Sequence, residues 1–335
     1  MKITFECMPS VFLIALIIGN ACLAQQLSVD DAIQNATREP HTLNVKHLPN
    51  AIQVSQKVIS GGQPAGEQAF RELKELGVKT VISVDGVKPD VLLARKFGMR
   101  YVHLPHGYNG IPPECVQILA KAVRDLEGSI YIHCHHGKHR SPAAAAVACV
   151  ATGLIEPTTS LGILKLAGTN ENYPGLFHSV KLAQRLPDAL LDAIQAEFPE
   201  SAKLPPMADA MVELEHTYDH LKQFAASDWR PSPYDAENGP AQSALLLTEH
   251  FTEMMRMEVV AKQPEGFRSL MTESEADCAK LEKALRVWKG SVKSDTTPAN
   301  LASTLENIEQ SFNRISINCI KCHQTYRDLP IAEAR

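Results

Sequence analysis

Short apolar runs alternate with amphipathic segments between residues 45 and 197, and this alternation predicts an α/β domain. Three runs have the length and apolar content of buried strands: KTVISV (79–84), YVHLP (101–105) and SIYIHC (129–134). Helical periodicity is present in five segments, at 67–77, 89–98, 113–128, 141–152 and 177–196. Strands that alternate with helices are typical of a central parallel or mixed sheet.

From residue 207 to residue 335 the apolar pattern is helical. Four segments are predicted to be helices: 207–226, 240–262, 266–289 and 298–327. Polar loops separate them, so we expect an all-α four-helix bundle as a second domain. The stretch FPESAKLPP (198–206) has three prolines and no apolar periodicity, and we interpret it as the linker between the domains.

The first 24 residues have the pattern of a secretory signal peptide. One lysine precedes an apolar run from Val11 to Ile18, and small residues follow as far as Ala24, after which we expect cleavage. The run is short for a membrane span. We therefore expect a periplasmic or otherwise exported protein with no stable span after cleavage. An uncleaved anchor and a lipoprotein modified at Cys22 remain alternatives.

Composition indicates an exported globular protein without a nucleic-acid partner. The chain has 335 residues, 44% hydrophobic content and a net charge of −5, and no basic run stands out. Of its eight cysteines, six would remain in the mature chain, and their spacing does not resemble a disulfide framework.

One apolar seam follows the last predicted helix in steps of four and three residues: Leu301, Leu305, Ile308, Phe312, Ile315, Cys319 and Cys322. Both cysteines should therefore face the bundle core, with His323 next in sequence. The stretch CIKCH (319–323) is the CxxCH attachment pattern of haem c. Two thiols one helical turn apart can bond to the two vinyl groups of one haem, and the adjacent histidine can ligate the iron. A redox CxxC pair or a zinc half-site is the alternative, but no second ligand pair lies nearby.

With CIKCHQTYR ending at Arg327, near the end of a fourth helix, the C-terminal region resembles the cytochrome c-prime family. The resemblance implies one covalent haem c with His323 as the proximal iron ligand. It also implies an electron donor or a small gas ligand as a partner, and a homodimer. Met207 or Met211, at the start of the first bundle helix, is the candidate distal ligand. The alternatives are core packing by these methionines and a five-coordinate iron.

The second concentration of reactive residues is HCHHGKHRS, His133 to Ser141, between a predicted strand and a predicted helix. A loop at a helix N-terminus presents backbone N–H groups that bind a tetrahedral dianion. The phosphate-binding residues would be His135, His136, Gly137, Lys138, His139 and Arg140. Arg140 would clamp phosphate oxygens in a bidentate manner. The same positive field would favour the thiolate of Cys134, a nucleophile, and Ser141 could donate to its sulfur.

This pattern resembles the cysteine-based protein phosphatases of the tyrosine or dual-specificity type. The motif His-Cys-x-x-Gly-x-x-Arg-Ser is met at five positions: His133, Cys134, Gly137, Arg140 and Ser141. The segment ISGGQPAGEQAFRELKELGVKTVISVD (59–85) also resembles the first strand and helix of compact bacterial members. The resemblance implies a cysteine-dependent phosphatase that hydrolyses aryl phosphates or phosphoproteins.

One departure from the family concerns the general acid. The family carries an aspartate in the loop that here reads HGYNGIPP (106–113), and this loop contains no Asp or Glu. Asn109 lies about where the acid would be. His106 could substitute, since imidazole titrates near neutral pH, and Asp85, at a strand end, is another candidate. Both could equally be ordinary structural residues.

Other chemistries for the same loop were weighed. A metal could be held by Cys134 with His135, His136 and His139, but gathering these side chains would disrupt the inward-facing amides. Rhodanese-like sulfur transfer also uses a cysteine loop, although the Arg-Ser ending favours phosphate. Cys115 or Cys149 could be a resolving thiol for an oxidised Cys134, or a buried small residue.

Two functional hypotheses follow. The first is an exported phosphomonoesterase with phosphotyrosine as one candidate substrate. It would act through a cysteinyl-phosphate intermediate and be fused to a haem domain that senses redox state or a gas. The second is a phosphate-binding module with weak or no turnover, attached to an electron-transfer cytochrome. The missing aspartate motivates the second hypothesis.

Overall fold

The computed structural model describes residues 39–230, 239–291 and 298–331, so the predicted signal peptide, residues 1–24, lies outside them. The described strands form one six-stranded sheet. They are β1 His41–Thr42, β2 Ile52–Gln53, β3 Val58–Gly62, β4 Val78–Ser83, β5 Arg100–His103 and β6 Ser129–Cys134.

The sheet has the order β1-β2-β3-β6-β4-β5. Strands β3, β6, β4 and β5 are parallel, whereas β1 and β2 add an antiparallel edge. Every residue of β3 is buried, and so is all of β6 except its first residue. Parallel strands covered on both faces are near-continuous apolar runs. The predicted α/β class with a mixed, mostly parallel sheet is confirmed.

Seven helices accompany the sheet in the described N-terminal region. They are α1 Gly66–Glu75, α2 Val91–Lys96, α3 Pro113–Asp125, α4 Arg140–Thr152, α5 Pro157–Ala167, α6 Pro174–Lys181 and α7 Asp188–Ala193. The prediction of a single helix over 177–196 is wrong, because the chain forms two separate helices there, α6 and α7. Pro187 precedes α7, and a proline inside a helix would remove a backbone donor and clash with the preceding turn.

The C-terminal region is helical, as predicted. Its helices are α8 Pro206–Ala226, α9 Pro240–Met255, α10 Glu258–Ala261, α11 Glu265–Ser291 and α12 Pro298–Tyr326. The single helix expected over 240–262 is also wrong, because the chain turns at Arg256 and Met257. Within the described ranges, no helix is both long enough and apolar enough to cross a lipid bilayer.

The long helices α8, α9, α11 and α12 share one apolar core. Ile308 and Ile315, from the predicted seam of α12, are fully buried in it. Tyr218 of α8 stacks on Phe312 of α12 at 5.3 Å between ring centroids. Trp229, just beyond the end of α8, contacts the same ring at 5.2 Å.

The segment interpreted as a linker, 198–206, is held on the edge of the sheet. The backbone N–H of His103 in β5 donates to the Pro199 carbonyl at 2.8 Å, and the Ala202 N–H donates to His103 Nδ1 at 2.9 Å. The guanidinium of Arg100 lies 5.6 Å from the ring centroid of Phe198. These contacts cover an edge strand that would otherwise expose unpaired backbone groups.

The first bundle helix lies close to the carboxyl end of the sheet. A Cβ placed on Gly86, just after β4, would come within 2.8 Å of Val212 on α8 and 3.1 Å of Leu204. Glycine at this position therefore permits the close approach. As a result α8 is placed beside the loop that follows β6.

Candidate active site

The loop between β6 and α4 is fixed against the neighbouring strand β3. Gly137, in the middle of the loop, has a φ of 71°, and a Cβ there would lie 2.4 Å from the backbone nitrogen of Gly62. The N–H of Gln63 donates to the His135 carbonyl at 3.1 Å. Glycine is therefore required at position 137 both for its left-handed backbone and for space.

The loop has the features of an anion-binding site. The backbone N–H groups of residues 135–139 donate no hydrogen bond to another residue of the described chain. They lie at the N-terminus of α4, whose dipole favours negative charge. Arg140 is half-buried, and its Nε is enclosed without a partner among the described residues. Unpaired backbone donors at a helix N-terminus, beside an arginine with a free Nε, can bind the oxygens of a phosphoryl group.

Cys134 and Ser141 lie at the base of the loop. Cys134 is 3% exposed, and its Sγ is 3.4 Å from Ser141 Oγ. The Ser141 hydroxyl donates to the Gly61 carbonyl at 2.9 Å. It must therefore rotate away from that carbonyl before it can donate to the Cys134 sulfur as the sequence suggested.

His133 supports the end of β6 from within the core. The Tyr101 hydroxyl donates to His133 Nε2 at 2.5 Å. Burial lowers the pKa of His133 to about 4, so its ring is neutral at neutral pH. Burial also raises the pKa of Tyr101, so its hydroxyl remains a donor.

His106 has an arrangement that suits proton acceptance better than donation. Its Nδ1 donates to the Gly107 carbonyl at 2.9 Å, and its Nε2 is enclosed without a partner in the described chain. Burial lowers its pKa to about 4. In the neutral ring the free nitrogen, Nε2, therefore carries a lone pair and no proton.

Asp85, the other residue considered as the acid, is fully buried. Its Oδ1 accepts from Ser83 Oγ at 3.2 Å and from the Val87 N–H at 2.9 Å. Its Oδ2 is enclosed without a partner among the described residues. An enclosed carboxylate oxygen is costly unless it carries a proton or meets a donor. The charge of Asp85 is close enough to Arg140 and His106 to influence the pKa of each.

Tyr108 joins the bundle to the loop of residues 135–139 between β6 and α4, the predicted phosphate loop. The guanidinium carbon of Arg140 lies 4.4 Å from the Tyr108 ring centroid, and that of Arg327 lies 4.3 Å from it. The Tyr173 ring packs on Tyr108 at 4.6 Å. Burial raises the pKa of Tyr108 to about 12. One aromatic ring thus contacts the predicted phosphate clamp and an arginine that follows the haem motif.

The end of the bundle also contacts the backbone of this loop. The Ile331 N–H, beyond α12, donates to the Asn109 carbonyl at 3.0 Å. A Cβ on Gly175 would lie 2.1 Å from the same oxygen. The backbone of Asn109 is thereby held between α6 and the C-terminal segment.

The CxxCH residues have a donor set that fits haem c. Cys319 and Cys322 are unbridged thiols, half-buried and buried respectively, and both pack with the bundle core. No hydrogen bond joins the His323 ring to another residue of the described chain, and burial lowers its pKa to about 3. A neutral imidazole is the form that ligates iron. Met207 and Met211 pack against the same core.

Cys149 behaves as a buried small residue. Its side chain is fully buried, and burial raises its pKa to about 12. Its sulfur lies 3.7 Å from Ser55 Oγ. A thiol with so little thiolate is a poor partner for disulfide exchange.

Three residues around the loop between β6 and α4 carried no sequence signal for this site: Tyr108, Asp219 and Arg327. Arg327 entered the sequence analysis only as the end of the CIKCHQTYR stretch. Asp219 Oδ2, on α8, lies 3.1 Å from His135 Nε2. Asp219 and Arg327 belong to the second domain, and no local spacing links them to residues 106–140. Only an expectation that the two domains touch at this loop would have indicated them.

Comparison with known proteins gives matches to solved structures only. No protein-family model matches the chain, and no curated protein matches it. A serine-for-cysteine variant of TpbA from P. aeruginosa, in complex with phosphotyrosine, is similar to 45% of this chain over 94% of its own length, with 20% identity and a TM-score of 0.38. The structure of TpbA itself is similar to 43% of the chain over 90% of its own length, with 21% identity and a TM-score of 0.37.

A third structure is a DUF442 protein from Shewanella putrefaciens CN-32, whose name describes it as a candidate phosphatase. It is similar to 45% of this chain over 92% of its own length, with 22% identity and a TM-score of 0.32. These similarities lie in the N-terminal domain and concern its fold.

Replacing Gly137 with alanine should weaken phosphate binding. The added Cβ would collide with the backbone of β3, and φ at this position is unfavourable for alanine. Binding of inorganic phosphate or vanadate, measured by calorimetry, should fall by at least about tenfold, the effect of about 1.4 kcal/mol.

The matched control is Gly162→Ala in α5, where a Cβ has no neighbour within 4 Å. That variant should bind as the parent does and be slightly more stable. Unchanged binding in Gly137→Ala would contradict the role of the loop.

Proposed function

We propose that the N-terminal domain is a cysteine-dependent phosphatase of the tyrosine or dual-specificity type. Its substrates would be aryl phosphates, including phosphotyrosine. The observation that carries the proposal is the set of unpaired N–H groups at residues 135–139, together with Arg140, in the loop that directly follows Cys134. A bound dianion in this loop would meet the sulfur in position for attack.

In the first step the Cys134 thiolate attacks phosphorus as the bond from phosphorus to the leaving oxygen breaks. The leaving oxygen takes a proton or departs as an anion. In the second step water attacks phosphorus and gives a proton to the conjugate base of the acid or to solvent. The sulfur–phosphorus bond breaks, inorganic phosphate is released and the thiolate is regenerated. The loop N–H groups and Arg140 would stabilise the charge on the equatorial oxygens in both steps.

Asp85 is our candidate for the acid of the first step. Its Oδ2 is a buried carboxylate oxygen without a hydrogen-bond partner among the described residues. His106 is less suitable, because its free nitrogen carries a lone pair in the neutral ring. Asp85 would thus replace the aspartate that is missing from residues 106–113.

We propose further that the bundle carries one haem c, attached at Cys319 and Cys322 with His323 as an iron ligand. Met207 or Met211 could supply a ligand on the other side. When bound, the haem would supply a redox-active iron that can take up a small gas or exchange an electron. Export follows from the same proposal, because haem c is attached outside the cytoplasm, and a homodimer remains a prediction.

The bundle could influence the phosphatase through Arg327. This residue lies four positions after His323, and it shares the Tyr108 ring with Arg140. A small movement at the end of α12 would therefore reach the phosphate clamp through one aromatic ring. This contact supports a haem domain that biases phosphatase turnover.

A binding module without turnover is the second candidate. Cys134 is 3% exposed, and residues 106–113 hold no acid. Such a protein would bind phosphate or a phosphorylated partner, and the cytochrome would be its active half.

Hydrolysis of p-nitrophenyl phosphate by residues 25–335 should depend on Cys134. We expect Cys134→Ser to reduce kcat to background, because a serine hydroxyl in this loop is a much weaker nucleophile than a thiolate. Vanadate binding should persist in the variant. Vanadate binding with no hydrolysis by the parent chain would favour the binding module.

Asp85→Asn should reduce kcat for alkyl phosphates by about a hundred- to ten-thousand-fold, the usual contribution of general acid catalysis. The loss should be much smaller for p-nitrophenyl phosphate, whose leaving group needs little protonation. His106→Gln is the matched control and should show no such dependence on the leaving group. The opposite pattern for the two variants would identify His106 as the acid.

Arg327→Ala should reduce the dependence of turnover on the state of the haem. We expect kcat/KM of the parent to differ by about fivefold or more between ferric and ferrous protein, the lower end of common allosteric coupling. In Arg327→Ala the ratio of kcat/KM between the ferric and ferrous protein should be near one.

Arg314→Ala, which removes an arginine of α12 paired with Asp277, is the control and should keep the ratio. A parent enzyme with equal turnover in ferric, ferrous and gas-bound forms would contradict the coupling.

A further inference from the structure

A pocket of about 570 Å³ lies between the phosphate loop and α8. Two histidines of the loop line it, together with side chains one or two turns apart on α8. These residues are His135, His136, His216, Asp219, His220, Lys222 and Gln223. Neither the phosphatase chemistry nor the haem site uses this pocket.

Three of these side chains bring ligand atoms together. His135 Nε2 lies 3.1 Å from Asp219 Oδ2, and a ring nitrogen of His136 completes a group whose ligand atoms all lie within 4.8 Å of one another. In a tetrahedral zinc site with bonds near 2.0–2.1 Å, ligand atoms are about 3.4 Å apart. The three donors therefore need only small movements to share one ion.

The orientation of His135 favours a cation between it and Asp219. Its other nitrogen, Nδ1, lies 3.4 Å from Gln63 Oε1, where an N–H can donate to the amide oxygen. A proton on Nε2 joins it to the Asp219 oxygen as an ion pair, and a metal ion could take the place of that proton. Two acceptors at 3.1 Å repel unless a proton or a metal ion lies between them. A histidine that ligates a metal commonly donates its second N–H to such an oxygen.

Asp219 has a similar outer partner. Its Oδ1 accepts from Lys222 Nζ at 2.5 Å, which leaves Oδ2 for a single bond to an ion. Ligating carboxylates are usually held by a hydrogen bond of this kind. Two of the three ligands are thus oriented by neighbours that do not themselves enter the coordination sphere.

We propose that His135, His136 and Asp219 bind one divalent transition-metal ion of the zinc class. Two imidazoles and one carboxylate suit Zn²⁺, Cu²⁺ or Ni²⁺ better than Ca²⁺ or Mg²⁺. His216 and His220 are one helical turn apart on α8 and line the pocket, so either of them or water would fill the fourth position.

This site differs from the metal arrangement considered for the loop alone. His139 is not part of it, since its Nδ1 accepts from the Asn170 N–H at 3.3 Å and its ring packs on Tyr173 at 4.7 Å. Cys134 is buried beneath the loop. The ion would be held by side chains of the loop and by α8, so it would join the two domains and leave the backbone amides available for an anion.

Zinc titration of the full chain tests the proposal independently of phosphatase turnover. Calorimetry on a Cys319→Ala, Cys322→Ala background removes the haem thiols as competing ligands. We expect one Zn²⁺ per chain, and His136→Ala or Asp219→Asn should weaken binding by at least about tenfold, as loss of even an outer partner often does. His178→Ala, at an exposed histidine of α6, is the control and should bind as the background does.

A spectroscopic readout separates loss of a ligand from loss of the fold. Cu²⁺ bound to the background chain should show nitrogen couplings from two imidazoles in its electron paramagnetic resonance spectrum. A folded His136→Ala chain should show the nitrogen couplings of fewer imidazoles. Absence of Zn²⁺ binding in the folded background chain would overturn the proposal. So would binding that survives both substitutions but disappears in Cys134→Ser, which would identify a thiolate site instead.

Discussion

The unpaired backbone N–H groups of residues 135–139 are the constraint on which the rest of the structure depends. A segment with this many unpaired donors is costly unless an acceptor is supplied. Neighbouring structure holds it in place: Gly137 packs against the backbone of β3, and alanines 143–146 of α4 are fully buried against the sheet. The fold therefore holds in place a loop whose backbone donors are available to an anion.

The bundle contacts this loop and its surroundings at two places. At one place Arg327 reaches Arg140 through the Tyr108 ring. At the other, Asp219 of α8 contacts His135. Any event in the bundle that moves the end of α12 or the middle of α8 therefore acts on the phosphate loop. Conversely, a phosphate in the loop would alter the surroundings of both bundle contacts, since coupling between sites is reciprocal.

Much of the architecture was predictable from local pattern. Strands β4, β5 and β6 are continuous apolar runs, and the seam of α12 repeats every three to four residues. These four elements were therefore predicted with small errors in their ends. Strands β1 and β2 have two residues each, too few to show a period. The gap between α6 and α7 would have been predicted only if Pro187 had been interpreted as the residue before a new helix.

The site was only partly predictable for a different reason. The Cys134 loop and the CxxCH motif are each one short continuous stretch of sequence, so the spacing of their residues is enough to identify them. The contacts of Tyr108 with Arg327 and of His135 with Asp219 join residues 219 and 84 positions apart along the chain. Such contacts leave no periodic signal, and they depend on how α8 is positioned by the segment held on β5.

The most direct measurement is to trap the covalent intermediate. Residues 25–335 would be mixed with an aryl phosphate, quenched during turnover, and digested for peptide mass spectrometry. The account predicts one phosphoryl group on Cys134, and none on the same peptide of Cys134→Ser. Turnover with no phosphoryl group on Cys134, or with the group on one of the loop histidines instead, would contradict it.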